Sequence, residues 1–327
     1  MKAARFHRTG GPEQLVYEDV PQPQPGPGEV LLRVEAAGVN FADVMRRRGD
    51  NYPEPSPLPF TLGYEIVGTV EAHGEGVSTP ELGSLVFAAG GNGGYAQYAV
   101  APAAGLVPLP PGLSPEQMTA LFVQGITALR SLKDAARIQP GETILVEAAA
   151  GGVGSLVVQL AKILGAGKVI AAASTPAKRE LALSLGADAA VDYTAPGWVE
   201  QVRELTGGRG VDIVMEMVGG DVLPVAITAL APFGRLIIFG GADSQISTVD
   251  TGELVFSNRS IQGFSIAQYF ERPEVLGETL KELIGLVLGG RLQVQIGKVL
   301  PLSQAAEAHR LIESRQTAGK IVLRPWE

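Results

Sequence analysis

The chain of 327 residues contains no cysteine. Disulfides and thiolate metal sites are thereby excluded. Histidine is scarce as well: His7, His73 and His309 are scattered and show no ligand spacing, so no metal is expected. No apolar run reaches membrane-spanning length. Met1 leads straight into an alternating segment with no apolar signal core, which points to a soluble cytoplasmic protein without a membrane partner. Positive charge is in deficit. A net charge of −8 and a pI near 5.1 argue against nucleic acid as a partner, and no basic patch interleaved with aromatics offsets that balance.

What is abundant is small and apolar. Forty-two glycines and 23 prolines lie between apolar strands, which suggests tight turns rather than disorder. The length gives a prior of two domains. The first third reads as β-rich. Residues 1–6 and 15–19 flank a Gly10-Gly11-Pro12 turn, and a proline-rich connector leads into 29–39, where Val30, Leu32 and Val34 alternate. Short strands at 66–72, 84–88 and 95–100 suggest an irregular, partly closed β-domain. Residues 114–136 read as helical, with a capping box at Ser114 and Gln117 and Pro115 at the first helical position.

From Gly141 the chain settles into βαβ alternation. Candidate strands are 142–148, 168–173, 189–192, 211–217, 234–240 and 260–265, enough for a doubly wound parallel sheet. Beyond it lie a helix (274–289), a strand (293–300), a helix (303–315) and a last strand (320–323). The first βαβ unit carries a glycine cluster, Ala150-Gly151-Gly152-Val153-Gly154, between an apolar strand and an amphipathic helix. Ala149-x-Gly151-x-x-Gly154 is a dinucleotide fingerprint with its first glycine replaced. Gly151 would let the backbone approach a pyrophosphate, Gly154 would let the helix lie close on the strand, and the helix N-terminus would offer N–H groups to the diphosphate. No acid stands at the end of the second strand to hold a ribose 2′-hydroxyl. Ser174 is small and neutral there, and Lys178 and Arg179 follow, which a 2′-phosphate would rationalise.

Leu145, Ala149, Ala150, Gly151, Gly152, Gly154, Gln159 and Lys162 together resemble the signature of the zeta-crystallin/quinone oxidoreductase branch of the medium-chain dehydrogenase/reductase superfamily. The resemblance covers nearly the whole chain and is weakest at 42–60 and 267–300. It implies an α/β fold of two domains. A GroES-like β-rich catalytic domain is expected from 1–122 and 267–327, and a Rossmann nucleotide-binding domain from 123–266. It also implies NADPH, with Lys178 and Tyr193 around the 2′-phosphate. Thr127, Phe239 with Gly240, and Phe264 with Ile266 are further expected cofactor contacts.

The zinc enzymes of the superfamily place a cysteine after Gly-Val, where this chain has Asn40, and Gly-His-Glu where it has Gly63-Tyr64-Glu65. Lacking that ligand set, the chain is expected to pass hydride to an acceptor that is already electron-poor. The resemblance, which matches Asn40 and, with a one-residue offset, Tyr52 to family positions, implies that these are the candidate catalytic residues, as donors to the product oxyanion or as pocket walls. A second family tyrosine is replaced by Met45. Glu65 reads as a structural acid, and Arg46-Arg47-Arg48 as a solvated helix face, with steering of an anionic acyl-CoA as its other reading. The leading expectation is a zinc-independent NADPH:quinone reductase acting on a small molecule. An enoyl or enone C=C reductase is the alternative within the class, and a non-catalytic, crystallin-like NADPH-binding protein the alternative outside it. A homodimer is expected through edge pairing at 260–265.

Overall fold

The computed structural model describes residues 1–50, 52, 54–242 and 247–327. In chain order it begins β1 (Lys2–Phe6), β2 (Val16–Asp19), β3 (Glu29–Val39), α1 (Phe41–Arg48), β4 (Phe60–Thr61), β5 (Glu65–His73), β6 (Leu85–Ala89), β7 (Tyr98–Pro102), β8 (Val107–Pro108), α2 (Pro115–Ala120) and α3 (Ile126–Arg130). The alternating part is β9 (Thr143–Glu147), α4 (Gly152–Ile163), β10 (Lys168–Ala172), α5 (Pro176–Ser184), β11 (Ala189–Val191), α6 (Trp198–Leu205), β12 (Val211–Glu216), α7 (Val222–Thr228), β13 (Leu230–Ile238), α8 (Gly252–Val255) and β14 (Ser260–Gly263). It closes with α9 (Pro273–Leu288), β15 (Ile296–Pro301), α10 (Ala305–Glu313) and β16 (Lys320–Arg324).

Two compact units result: Met1–Val123 with Gln295–Glu327, and Gln124–Val294. In the first, a mixed sheet runs β15-β16-β3-β5-β6-β8 with β7 also on β3, beside a small β2-β1-β4 sheet. The 11-residue β3 pairs with both β5 and β7, and its register slips at Leu31/Leu32 and Val34/Ala36. Such slips bend a strand and let one sheet curl around its core. That core holds Phe6, Leu32, Val34, Phe60, Leu62 and Tyr95 together with Leu302 and Leu323 from the far end of the chain.

In the second unit six parallel strands lie in the order β11-β10-β9-β12-β13-β14. This is the doubly wound order, reversing between β9 and β12. Ile144, Leu145 and Val146 are wholly buried, as a parallel strand covered on both faces requires.

Three sequence expectations shift. The boundary expected at 267 falls at 295, because α9 packs into the second unit. Leu276, Leu280 and Leu283 are buried, Lys133 pairs with Glu282 at 2.8 Å, and the Gln159 amide bonds the Gln293 main chain. The strand expected at 234–240 starts earlier, at Leu230, and passes through Phe233 with φ 65°. The helical stretch 114–136 does form with its capping box, but π-helical turns at Leu121–Gly125 and Ser131–Ala136 interrupt it.

Candidate active site

The parallel strands of the second unit all end at one edge of the sheet, so the segments that follow them share that edge. Ala150–Gly154 follows β9, Ser174 follows β10, Tyr193 follows β11, Phe239 and Gly240 follow β13, and Phe264 and Ile266 follow β14. Thr127 sits in α3, which packs on α4. The expected cofactor residues thus follow the ends of these strands, apart from Lys178 in the first turn of α5 and Thr127 in α3.

The glycine turn has its own geometry. Its left-handed residue is Ala148, with φ 45°, while Ala149 donates its N–H to Ala172 O. The tight turn thus begins at Ala148, directly after β9 and one residue before the position where the first glycine was expected. Gly151 caps α4 without a side-chain bond. A Cβ on Gly154 would fall 2.3 Å from Ala148 O and one on Gly152 would fall 2.2 Å from the Gln124 amide, whereas one on Gly151 would meet Ala148 O alone, at 3.1 Å. Gly154 therefore serves packing, and Gly151 borders open space. Gln124 is buried over the turn with Oε1 lacking a partner among the described residues. An open glycine and an uncapped 12-residue helix start fit a dinucleotide diphosphate.

Past β10, Thr175 caps α5 and accepts the Lys178 N–H. Arg179 is taken up internally, by Asp192 and by Ala173 O, both at 2.9 Å. Arg179 is therefore committed within the unit, which corrects the expectation that both cations are available to a phosphate. Tyr193 is largely buried in the apolar core of this unit, Phe239 donates its N–H to Glu216 O, and the half-buried Phe264 ring lies 5.6 Å from that of Tyr269.

Sequence reasoning missed one cluster here. Glu147 and Glu216 end the adjacent strands β9 and β12, and both are fully buried. Gly219 N–H reaches Glu216 Oε1 at 2.5 Å, while the Glu147 oxygens make no well-formed hydrogen bond among the described residues and have the Met217 and Val218 N–H groups nearby. Burial, and then the neighbouring Glu216, push the Glu147 carboxyl far up; burial also raises Glu216. Both shifts run toward a carboxyl pair that retains a proton.

In the first unit Asn40 joins β3 to α1. Its backbone N–H donates to Asp43 Oδ2 at 2.9 Å, which also accepts from Tyr95 Oη. Behind Tyr95 lie His309 and Arg47. Arg47 can only donate, so His309 Nδ1 accepts and its Nε2 carries the hydrogen. Burial and the two nearby arginines lower His309 to about 3, and burial raises Asp43 to about 6. The Asn40 side chain is held separately. Its Nδ2 donates to Glu65 Oε1 and its Oδ1 accepts from Lys320 Nζ, both at 2.8 Å, and Lys320 meets Glu65 at 2.5 Å.

The arginine run is not a solvated face. Arg46 and Arg47 are 5% and 0% exposed. Arg46 stacks on Tyr52 and Phe60 and bonds Ser56, Asn92, Glu54 and Pro55 O. Arg47 bonds Gly10 O and Glu313, which Arg48 shares. Internal acceptors on other segments of the chain satisfy the buried guanidinium groups. Tyr52 is half-buried, and burial raises its hydroxyl; Tyr64, its neighbour, is raised further by the same cause. Among the described residues no group of three or more His, Asp or Glu is placed to hold a metal ion.

The chain resembles known proteins over nearly its whole length. Residues 26–111 match the alcohol dehydrogenase GroES-like domain, and 152–283 match the zinc-binding dehydrogenase domain. A quinone oxidoreductase of Pseudomonas aeruginosa is 37% identical over 99% of each chain. The chain belongs to the zinc-independent quinone oxidoreductase branch of the medium-chain dehydrogenase/reductase superfamily. A 2-haloacrylate reductase of a Burkholderia species is 36% identical over 99% of this chain and 98% of its own. The quinone oxidoreductase of Escherichia coli complexed with NADPH superposes with a TM-score of 0.91, at 34% identity over 99% of this chain and all of the other. No helix among the described residues is long and apolar enough to cross a membrane.

Proposed function

We propose that the protein is an NADPH-dependent reductase of a neutral conjugated acceptor, a quinone first of all. Bound NADPH supplies the hydride from C4 of its nicotinamide. Gly151 and the start of α4 receive the diphosphate, Ser174 and Lys178 the 2′-phosphate, and Thr127, Phe239, Gly240, Phe264 and Ile266 the rest of the cofactor, with Tyr193 as a buried support. The acceptor gains the hydride with its two electrons, and one proton from water completes the quinol. Asn40 offers an amide N–H to the oxygen on which charge builds, and Tyr52 a phenol.

The observation that carries a neutral acceptor is the arginine run. Its guanidinium groups are engaged by Glu54, Glu313, Ser56, Asn92, His309 and main-chain oxygens, so none of the three is spent on a substrate carboxylate or phosphate. This weighs against an acyl-CoA. A second reading, C=C reduction, is favoured by the 36% identical 2-haloacrylate reductase. Loss of NADPH absorbance against a benzoquinone, a naphthoquinone, an alkenal, a haloacrylate and an enoyl-CoA, with NADH in parallel, separates them. Turnover of quinones is expected. Turnover of the alkenal or haloacrylate alone would install the second reading, and NADPH binding without any turnover would leave a binding protein.

We further propose a homodimer. It is supported by β14, which among the described residues pairs with β13 on one side only, and by Phe233, Val255 and Phe256, which are 76%, 70% and 91% exposed beside it.

A further inference from the structure

The amide of an asparagine normally turns either way, since its two ends differ only in hydrogen-bonding sense. At Asn40 that freedom is absent. Lys320 can only donate, which fixes Oδ1 toward it, and the Glu65 carboxylate accepts, which fixes Nδ2. Both partners are 0% exposed, and Asn40 is 5% exposed. The three come from three neighbouring strands. Asn40 follows β3, Lys320 opens β16 on one side, and Glu65 opens β5 on the other. The second oxygen of Glu65 accepts the N–H of Val123 at 3.1 Å, so the carboxylate itself is held at both ends. Gly38 completes the setting: a Cβ there would lie 2.7 Å from Glu65 Oε1 and 2.8 Å from Lys320 Cε. The glycine two residues before Asn40 is thus a seat for the ion pair.

From this geometry we infer that Lys320 and Glu65 are positioning residues, which orient the Asn40 amide so that its remaining N–H is a fixed donor to the acceptor's developing oxyanion. The inference rests on the reading of Asn40 as the acceptor-side donor. A preorganised donor is worth more than one that must turn during the reaction, because reorientation is then not part of the barrier.

The test replaces the pair together, Glu65→Leu with Lys320→Met, so that no single charge is left buried. It is compared with Asn40→Ala and with the triple variant. Asn40→Ala is expected to lower kcat on the best acceptor about a hundredfold with the NADPH Kd unchanged. The paired replacement is expected to match that loss, and the triple variant to be no slower than Asn40→Ala alone. Losses that multiply in the triple variant, or a paired replacement with wild-type kcat, would overturn the inference. Lys320→Arg, which keeps the charge and the donor, should restore part of the rate.

A second readout needs no acceptor. The chain has four asparagines, at 40, 51, 92 and 258, so labelling asparagine alone with 15N isolates their side-chain amides. The pair of signals lost in Asn40→Ala should exchange slowly with solvent in the wild type and rapidly in the paired variant. Slow exchange in both would refute positioning even if no acceptor on the panel is reduced. In that last case the reductase reading fails on its own, and the amide signal still decides the role of Lys320 and Glu65.

Discussion

At the scale of single residues, the clearest liability is the acid pair at the ends of β9 and β12. Folding raises the proton affinity of both Glu147 and Glu216. A carboxyl raised on folding stabilises most below its ordinary range, near 4.5, and that contribution is lost as the pH climbs. Glu147→Gln keeps a donor for Glu216 without the proton that must be retained. We expect its Tm to exceed that of the wild type by about 2–6 °C at pH 9 and to match it at pH 5, checked by thermal melts across that range. An equal difference at both ends would show that the proton is not the cause. His309 acts in the opposite direction. Lowered to about 3, it must stay neutral to accept from Arg47, so stability is lost as the pH falls below about 6.5. His309→Gln, with an amide oxygen for the same arginine, is expected to flatten the acid limb of Tm against pH. None of these groups was legible in the sequence as a functional unit. Glu147 and Glu216 read as ordinary strand ends, and Arg47 finds its histidine 262 residues away. Charge runs identify helix faces only when their partners are local.

At the scale of elements, the turn into α4 divides its labour between glycines, and substitution should expose the division. Gly154→Ala drives a methyl into Ala148 O and is expected to cost about 1–3 kcal/mol of stability. Gly151→Ala meets a single oxygen at 3.1 Å and should leave Tm nearly unchanged while weakening NADPH binding, measured by nucleotide fluorescence. A reversal of the two outcomes would refute the assignment. On α5, Lys178→Ala should weaken NADPH far more than NADH, and equal losses would remove the 2′-phosphate role. This edge of the sheet was the most readable part of the chain. Strand, glycine turn and helix are contiguous, and their periodicities report local burial directly. The first unit was less readable. Arg46 stacks on Tyr52 and Phe60, which spacing along the chain does not encode, and α9 was placed on the wrong side of the boundary because an amphipathic helix does not announce which core receives it.

At the scale of the whole molecule, the proposed dimer is open to a simple test. Sedimentation at micromolar concentration should give twice the 34.1 kDa chain mass, and Phe256→Glu with Phe233→Glu should give the monomer mass with the fold intact. A wild-type monomer would refute the dimer. The two units also differ in how the chain builds them. The second is a single uninterrupted stretch, Gln124–Val294, whereas the first needs Gln295–Glu327 to finish a sheet begun near Met1. Lys320 reaches Asn40 across 280 residues. On a ribosome, therefore, the inserted unit has all its parts while the framing one still lacks two strands. Residues 1–123 must wait, with β3 exposing an unfilled edge where β16 will dock. Protease protection of stalled nascent chains should accordingly appear in the middle of the chain before it appears at the beginning.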